Sequence, residues 1–236
     1  MESKERSPFT FMNRIQDLVQ NFQDHISKVN SENPDFFESV ANLCRTYGYP
    51  LSNAAVFNKN LLKLKDLKYI LVADNPGVTE QEEECYLVGK AGKMARNIFK
   101  NNSLVSDFDE EVAVLNKIFI HTKSTLDLKK LKEFKDLFID SQVFMANLAV
   151  DMLENSSCEL WITGCSELTE KGLFAAYLKT LKERCAENPV LKKRIFFYPH
   201  FSFGNFSKNL NSVRAAHPEM SIREALKAAS LNIFGK

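Results

Sequence analysis

Four short apolar runs, each separated from the next by a stretch long enough to hold a helix, leave this chain few folds to choose from. The runs are Tyr69-Ile70-Leu71-Val72-Ala73, residues 112–120, Glu159-Leu160-Trp161-Ile162-Thr163 and residues 194–198. Each reads as a buried strand. Strands separated by helices of ten residues or more require parallel pairing through right-handed crossovers. The expected fold class is therefore α/β, a three-layer α/β/α domain with a four-stranded parallel sheet.

The intervening helices follow from periodicity. Residues 9–29 place Phe11, Ile15, Leu18, Val19 and Phe22 at three- and four-residue spacing, the mark of an amphipathic helix. Asn33-Pro34 opens a second helix to residue 45, with proline in the first turn. Residues 47–60 read as irregular. Gly89-Lys90-Ala91-Gly92 follows an acidic loop and leads into a helix over 93–100. Further helices are expected over 128–153, 170–186 and 221–231, the last opened by a capping box of Ser221 and Glu224. Residues 1–60 are expected to form a helical extension packed on one compact domain, 61–236.

Composition sets limits without choosing a function. At 44% hydrophobic and 26% charged residues the chain is an ordinary globular one. Its net charge of +1 excludes a global basic field, so any nucleic-acid contact must rest on a local patch. The five cysteines form no CxxC pair and offer neither zinc-ligand spacing nor a disulfide framework; free thiols in a reducing cytoplasm are expected. Residues 1–7 lack the apolar stretch of a signal peptide, and no run approaches bilayer length. No metal, no organic cofactor and no membrane partner are expected, and the chain is read as a cytoplasmic monomer.

Polar residues gather at the predicted strand ends. Asp74-Asn75-Pro76-Gly77 follows the first strand, where Pro76 keeps Asn75 extended and Pro-Gly suits a type II turn with Gly77 at positive φ. Asn116 lies inside the second apolar run, either as a bond to a neighbouring loop or as a functional amide. His200 and Ser202 follow the fourth strand. All C-terminal ends of a parallel sheet share one edge, which is where open α/β sheets hold ligands. His25, His121 and His217 have no comparable context. The segment Pro199-His200-Phe201-Ser202-Phe203-Gly204-Asn205-Phe206-Ser207-Lys208 is either a continuing strand or a loop that meets single nucleotides. Lys129-Lys130-Leu131-Lys132 reads as a solvated helix face, and the acidic run Glu80, Glu82, Glu83, Glu84 would repel phosphate.

Taken in order, four segments resemble motifs of the uracil-DNA glycosylase superfamily. Ala73-Asp74-Asn75-Pro76-Gly77 is similar to its water-activating motif in the Asn-Pro-Gly version. Tyr86-Leu87-Val88-Gly89-Lys90-Ala91-Gly92-Lys93 resembles a Pro-Phe-Val-Gly-x-Ala-Gly segment of the iron–sulfur branch. Leu115-Asn116-Lys117 resembles the strand whose asparagine reads the uracil edge, and His200-Phe201-Ser202 resembles a His-Pro-Ser motif. The resemblance covers residues 69–209 and implies a sheet order of 2-1-3-4. It implies a DNA partner, uracil-containing or damaged, single- or double-stranded. It also implies roles: Asn75, or Asp74 instead or as well, for the attacking water; His200 as donor to the departing base; Asn116, Tyr86, Leu87 and Gly77 around the base; Ser202, Lys93 and Lys208 on phosphate.

The chain departs from the pattern at several points. Leu87 replaces the stacking phenylalanine unless Tyr86 takes its place. Phe201 replaces the proline of His-Pro-Ser, Gly204 stands where some branches have an apolar wedge, and Gly77 where some have a tyrosine. Cys44 lies near the expected cluster ligands, but Tyr47 occupies the second position and the loop after Ile120 has no cysteine, so no iron–sulfur cluster is expected. The leading expectation is a DNA glycosylase acting on uracil or a related base. The alternative is a catalytically inactive relative that binds nucleic acid or a partner. A nucleotide-binding doubly wound domain ranks last, because neither GxGxxG nor a Walker loop is present.

Overall fold

The computed structural model describes residues 8–186 and 188–234; residues 1–7, read above for a leader segment, lie outside the described residues. Four parallel strands, β1 (Tyr69–Ala73), β2 (Val112–Asn116), β3 (Glu159–Thr163) and β4 (Ile195–Tyr198), form one sheet in the order β2-β1-β3-β4. Helices cover both faces, giving the three-layer α/β/α architecture and the strand order of the uracil-DNA glycosylase-like fold.

Handedness explains the layers. The chain leaves β1 toward β2 on one side, then crosses back over β1 to reach β3 and continues to β4. Right-handed crossovers in opposite directions must place their helices on opposite faces. Accordingly α4 (Lys90–Asn101) covers one face, where Phe99 meets Tyr69 and Trp161 edge-on or tilted. On that face α9 (Asn205–Ala216) packs Phe206 against Trp161 and Tyr198. The other face is covered by α6 (Lys135–Glu154), which packs along β1, β2 and β3, and by α7 (Ala175–Cys185) beside it. With both faces covered, every residue of β1, β2 and β4 is buried.

The N-terminal helices α1 (Pro8–Glu32) and α2 (Pro34–Thr46) add Ile15, Val19, Phe22, Phe36 and Val40 to the same apolar core. The remaining helices are short: α3 (Val78–Glu83), α5 (Phe108–Glu111), α8 (Pro189–Lys192) and α10 (Ile222–Ala228). Ser221 and Glu224 form the anticipated capping box.

Several local expectations are corrected. The second strand stops at Asn116 rather than 120. Residues beyond it turn from β1 to the segment near Ala55: Val56 N–H donates to Phe119 O and His121 N–H to Ala54 O. The reason lies in β1, whose continuation bends at Asn75-Pro76, where proline has no N–H to extend a ladder. The helix expected over 128–153 is a 3-10 segment, Thr125–Phe134, broken at Leu131, followed by α6. Gly77 has φ −85° and ψ −171°, so it is extended, and the type II turn is not formed. Gly77 instead caps α3, its N–H donating to Glu80 Oε2 at 2.7 Å. The acidic stretch read as a loop thus contains a helix. After Tyr198 the chain forms a 3-10 turn, Ser202–Gly204, and then α9, so that segment is no strand.

Candidate active site

A cleft of about 680 Å³ opens at the C-terminal ends of β1 and β4, beside the point where the crossovers reverse direction. This is where an open α/β sheet leaves room for a ligand, because the chains diverge to opposite faces there. Asp74, Asn75, Gly77, Leu87, His200 and Ser202 all line it. Segments distant in sequence thereby meet in one hollow.

Asp74 is the first residue past β1. Its Oδ1 accepts a hydrogen bond from Lys117 Nζ, a side chain with no exposed surface. Lys117 Nζ also donates to the backbone carbonyls of Thr163 and Gly164 and lies 4.9 Å from the centre of the Phe174 ring. This buried cation was passed over in the sequence, where Lys117 sits inside an apolar run. A charged residue in such a run is the signal that points to an internal partner. Gly164 makes room for the pair. Its φ is +75°, and a Cβ there would lie 2.5 Å from Asp74 Oδ1.

Asn75 is held by the loop after β2. Its Nδ2 donates to Thr122 Oγ1 at 2.9 Å and to Thr122 O at 3.2 Å, while Thr125 Oγ1 donates to its Oδ1 at 2.7 Å. The amide is therefore fixed in orientation, and one lone pair of Oδ1 is left for a further donor. Thr122 and Thr125 also line the cleft, and nothing in the linear sequence singles them out.

His200 has one ring nitrogen engaged. Ser202 N–H donates to its Nδ1 at 3.1 Å. An accepting Nδ1 in a neutral ring puts the proton on Nε2, which is left as a donor. Burial pushes the imidazole below its ordinary value of 6.5; Asp74 opposes that push and Lys117 adds to it. The ring is thus neutral at physiological pH, with a single N–H to offer.

Asn116 ends β2 as the register partner of Ala73, which lines the cleft. Asn116 itself is not among the residues that line the cleft. It is only 1% exposed, and among the described residues neither its Nδ2 nor its Oδ1 has a hydrogen-bond partner. Orphaned buried amides are rare and costly.

The segment opposite is built around Glu80. Burial raises its carboxyl above the usual range, and its oxygens accept the N–H groups of Gly77 and Leu87, clamping both ends of α3 and its loop. Leu87 adopts φ +57° and faces the cleft. Tyr86 does not: it is fully buried, and its hydroxyl donates to Val56 O. Its expected place at the base is therefore corrected, since the buried hydroxyl finds its partner in the core. Lys93 and Lys208 lie on the exposed faces of α4 and α9 and do not line the cleft, whereas Lys90 and Lys123 do. His121 is a buried structural histidine, Nδ1 against Pro76 O and Nε2 against Tyr49 OH.

Gly92 explains the small residues of Gly89-Lys90-Ala91-Gly92. A Cβ on Gly92 would lie 1.5 Å from Leu87 O, which also accepts from Arg96 at 2.9 Å. Gly92→Ala is expected to destabilise the protein by about 2 kcal/mol or more, since only backbone can move aside. An unchanged urea midpoint would show that α4 does not rest on this carbonyl.

The histidines predict acid sensitivity. His25, His121 and His200 are all held below 6.5, burial being the first cause in each. The unfolded chain takes up protons at 6.5 while the folded one still refuses them. This contribution is therefore complete above 6.5 and is lost as pH falls through the lowered folded values. The raised Glu80 acts in the opposite sense, nearer its own 4.5. The urea midpoint should fall between about pH 7 and about pH 5.5; a midpoint that is flat or rises there contradicts the burial of these rings.

Among the described residues no cluster of His, Cys, Asp and Glu is placed to hold a metal ion, and no helix is long and apolar enough to cross a membrane. All five cysteines are free thiols. No protein-family model matches the chain, and no curated protein matches it either.

Proposed function

We propose that the protein hydrolyses the N-glycosidic bond between deoxyribose and uracil, or a related damaged base, in DNA. The observation that carries this reading is the orphaned buried amide of Asn116, register partner of the cleft-lining Ala73, together with a cleft that holds the fixed amide of Asn75 and the free Nε2–H of His200. An amide with both atoms unpaired suits a flat ring offering one acceptor and one donor, as uracil does at O4 and N3–H.

In this reading the nucleotide is extruded from the stack and its base enters the cleft. Water attacks the sugar carbon, the carbon–nitrogen bond breaks, and its electron pair leaves with the base. Asn75 Oδ1 accepts a hydrogen bond from the water with its remaining lone pair. Asp74 stabilises positive charge on the sugar and takes the proton that the water sheds as it bonds to the sugar carbon. His200 donates Nε2–H to the base oxygen where negative charge gathers. A neutral donor suits this role because it is in place before the charge develops.

A second reading has its own support. Thr125 already occupies Asn75 Oδ1, and Lys117 already occupies Asp74 Oδ1. Gly204, with φ +67° and nothing within 4 Å of a Cβ position, offers no wedge to fill the gap left by a flipped base. These features favour a module that binds nucleic acid or a partner without cleaving it. Release of free uracil from a uracil-containing oligonucleotide separates the two. The glycosylase reading expects release that leaves an alkali-labile site; no release at excess protein, from single or double strands, would eliminate it.

A further inference from the structure

Neither α4 nor α9 carries an aspartate or a glutamate. Lys90, Lys93, Arg96 and Lys100 lie on α4, and Lys208 and Arg214 lie on α9. Arg96 is paired with Asp109. Among the described residues the other five make no ion pair. With Lys+Arg 31 against Asp+Glu 30 in the chain, this is segregation of charge, not excess.

A groove of about 450 Å³ separates the two helices. Ile98 and Leu210, both buried, form its floor with Met94. Asn97, Asn101 and Asn211 stand exposed at its rim. Arg214 closes one end. The cleft lies at the other end of the same helix, since Lys90, Ala91 and Gly92 line it from the first turn of α4. The twelve residues of α4 span about 18 Å, enough for a few nucleotides of extended strand.

We propose that the α4–α9 groove is a track for a single DNA strand leading away from the cleft. The ligand class rests on the glycosylase reading, and the groove itself selects the form. Arg214 on the groove wall, and Lys93 and Lys208 one helical turn from the rim residues Asn97 and Asn211, neutralise phosphates. The apolar floor accepts base faces, and the amides meet base edges. Only an unpaired strand offers faces and edges together; a duplex offers phosphates around a closed stack.

The test is fluorescence anisotropy of a labelled oligothymidylate with the intact protein. Binding should weaken steeply with salt. The variant Lys93→Glu/Lys208→Glu/Arg214→Glu should bind at least ~10-fold less tightly, and its log–log salt slope should flatten by about two, at roughly 0.7 for each phosphate no longer neutralised. Asn97→Ala/Asn101→Ala should weaken binding without changing that slope. Lys93→Ala/Lys208→Ala, which adds no repulsion, should fall between. The proposal is overturned if the oligonucleotide does not bind, if charge reversal leaves binding unchanged, or if a duplex or polyglutamate competes as well as the single strand. Uracil release is scored separately. Groove-dependent binding without release removes the glycosylase reading and leaves the track; release with groove-independent binding removes only the track.

Discussion

Replacing His200 with alanine is expected to slow base release by about 10²- to 10³-fold, the scale for one preorganised donor at a developing negative charge. The reasoning starts from the ring's surroundings. Ser202 N–H occupies Nδ1 and burial keeps the ring uncharged, so its single proton sits on Nε2. A departing pyrimidine anion needs a donor that is already aimed and needs no further desolvation. The loss should fall mainly on kcat, because the bond strengthens as charge accumulates on the base. The fold should tolerate the change, since the ring's one hydrogen bond is local, to Ser202 two residues on. A variant that keeps wild-type kcat would remove His200 from the chemistry; a loss of activity matched by loss of folded protein would make its role structural.

Lys117→Met is expected to cost about 3 kcal/mol of folding stability. Methionine fills a similar volume, so the effect isolates the charge and its hydrogen bonds. Without the ammonium group, Asp74 loses its counter-charge, and the carbonyls of Thr163 and Gly164 lose a buried donor. Removing one partner of a buried pair costs about 3–5 kcal/mol, and the low end applies because the Asp74 side chain keeps 24% exposure. Adding Asp74→Asn should recover part of the loss by removing the stranded carboxylate. Urea unfolding of the single and double variants reads both effects. A Lys117→Met midpoint equal to wild type would mean that water already screens the pair, against the complete burial of Lys117.

The architecture was legible because it depends on coarse features. Four apolar runs at helix-length spacing admit little besides a parallel sheet, and the sheet order implied by the resemblance is the order observed. Strand ends were less legible. Residues 118–120 are as apolar as those of β2, and only the bend at Pro76 in the neighbouring strand decides where pairing stops. The cleft was legible in part. Asp74, Asn75, His200 and Ser202 lie at strand ends, and topology alone brings such ends together. Tyr86 was misplaced because neighbouring residues in a loop take opposite directions, and its hydroxyl finds Val56 O in the core. Lys117, Thr122 and Thr125 were missed for a different reason. Their importance lies in which side chain each one holds, and a pairing of that kind is written in three dimensions.

The most direct test of the central claim is an NMR titration with free uracil, following the imidazole nitrogens of His200 and the side-chain amide of Asn116. If these groups grip one pyrimidine ring, both sets of resonances should shift together and saturate with a single dissociation constant. If His200 and Asn116 stay unmoved at saturating uracil, or shift with different dissociation constants, the cleft is not a site for a base and the account fails.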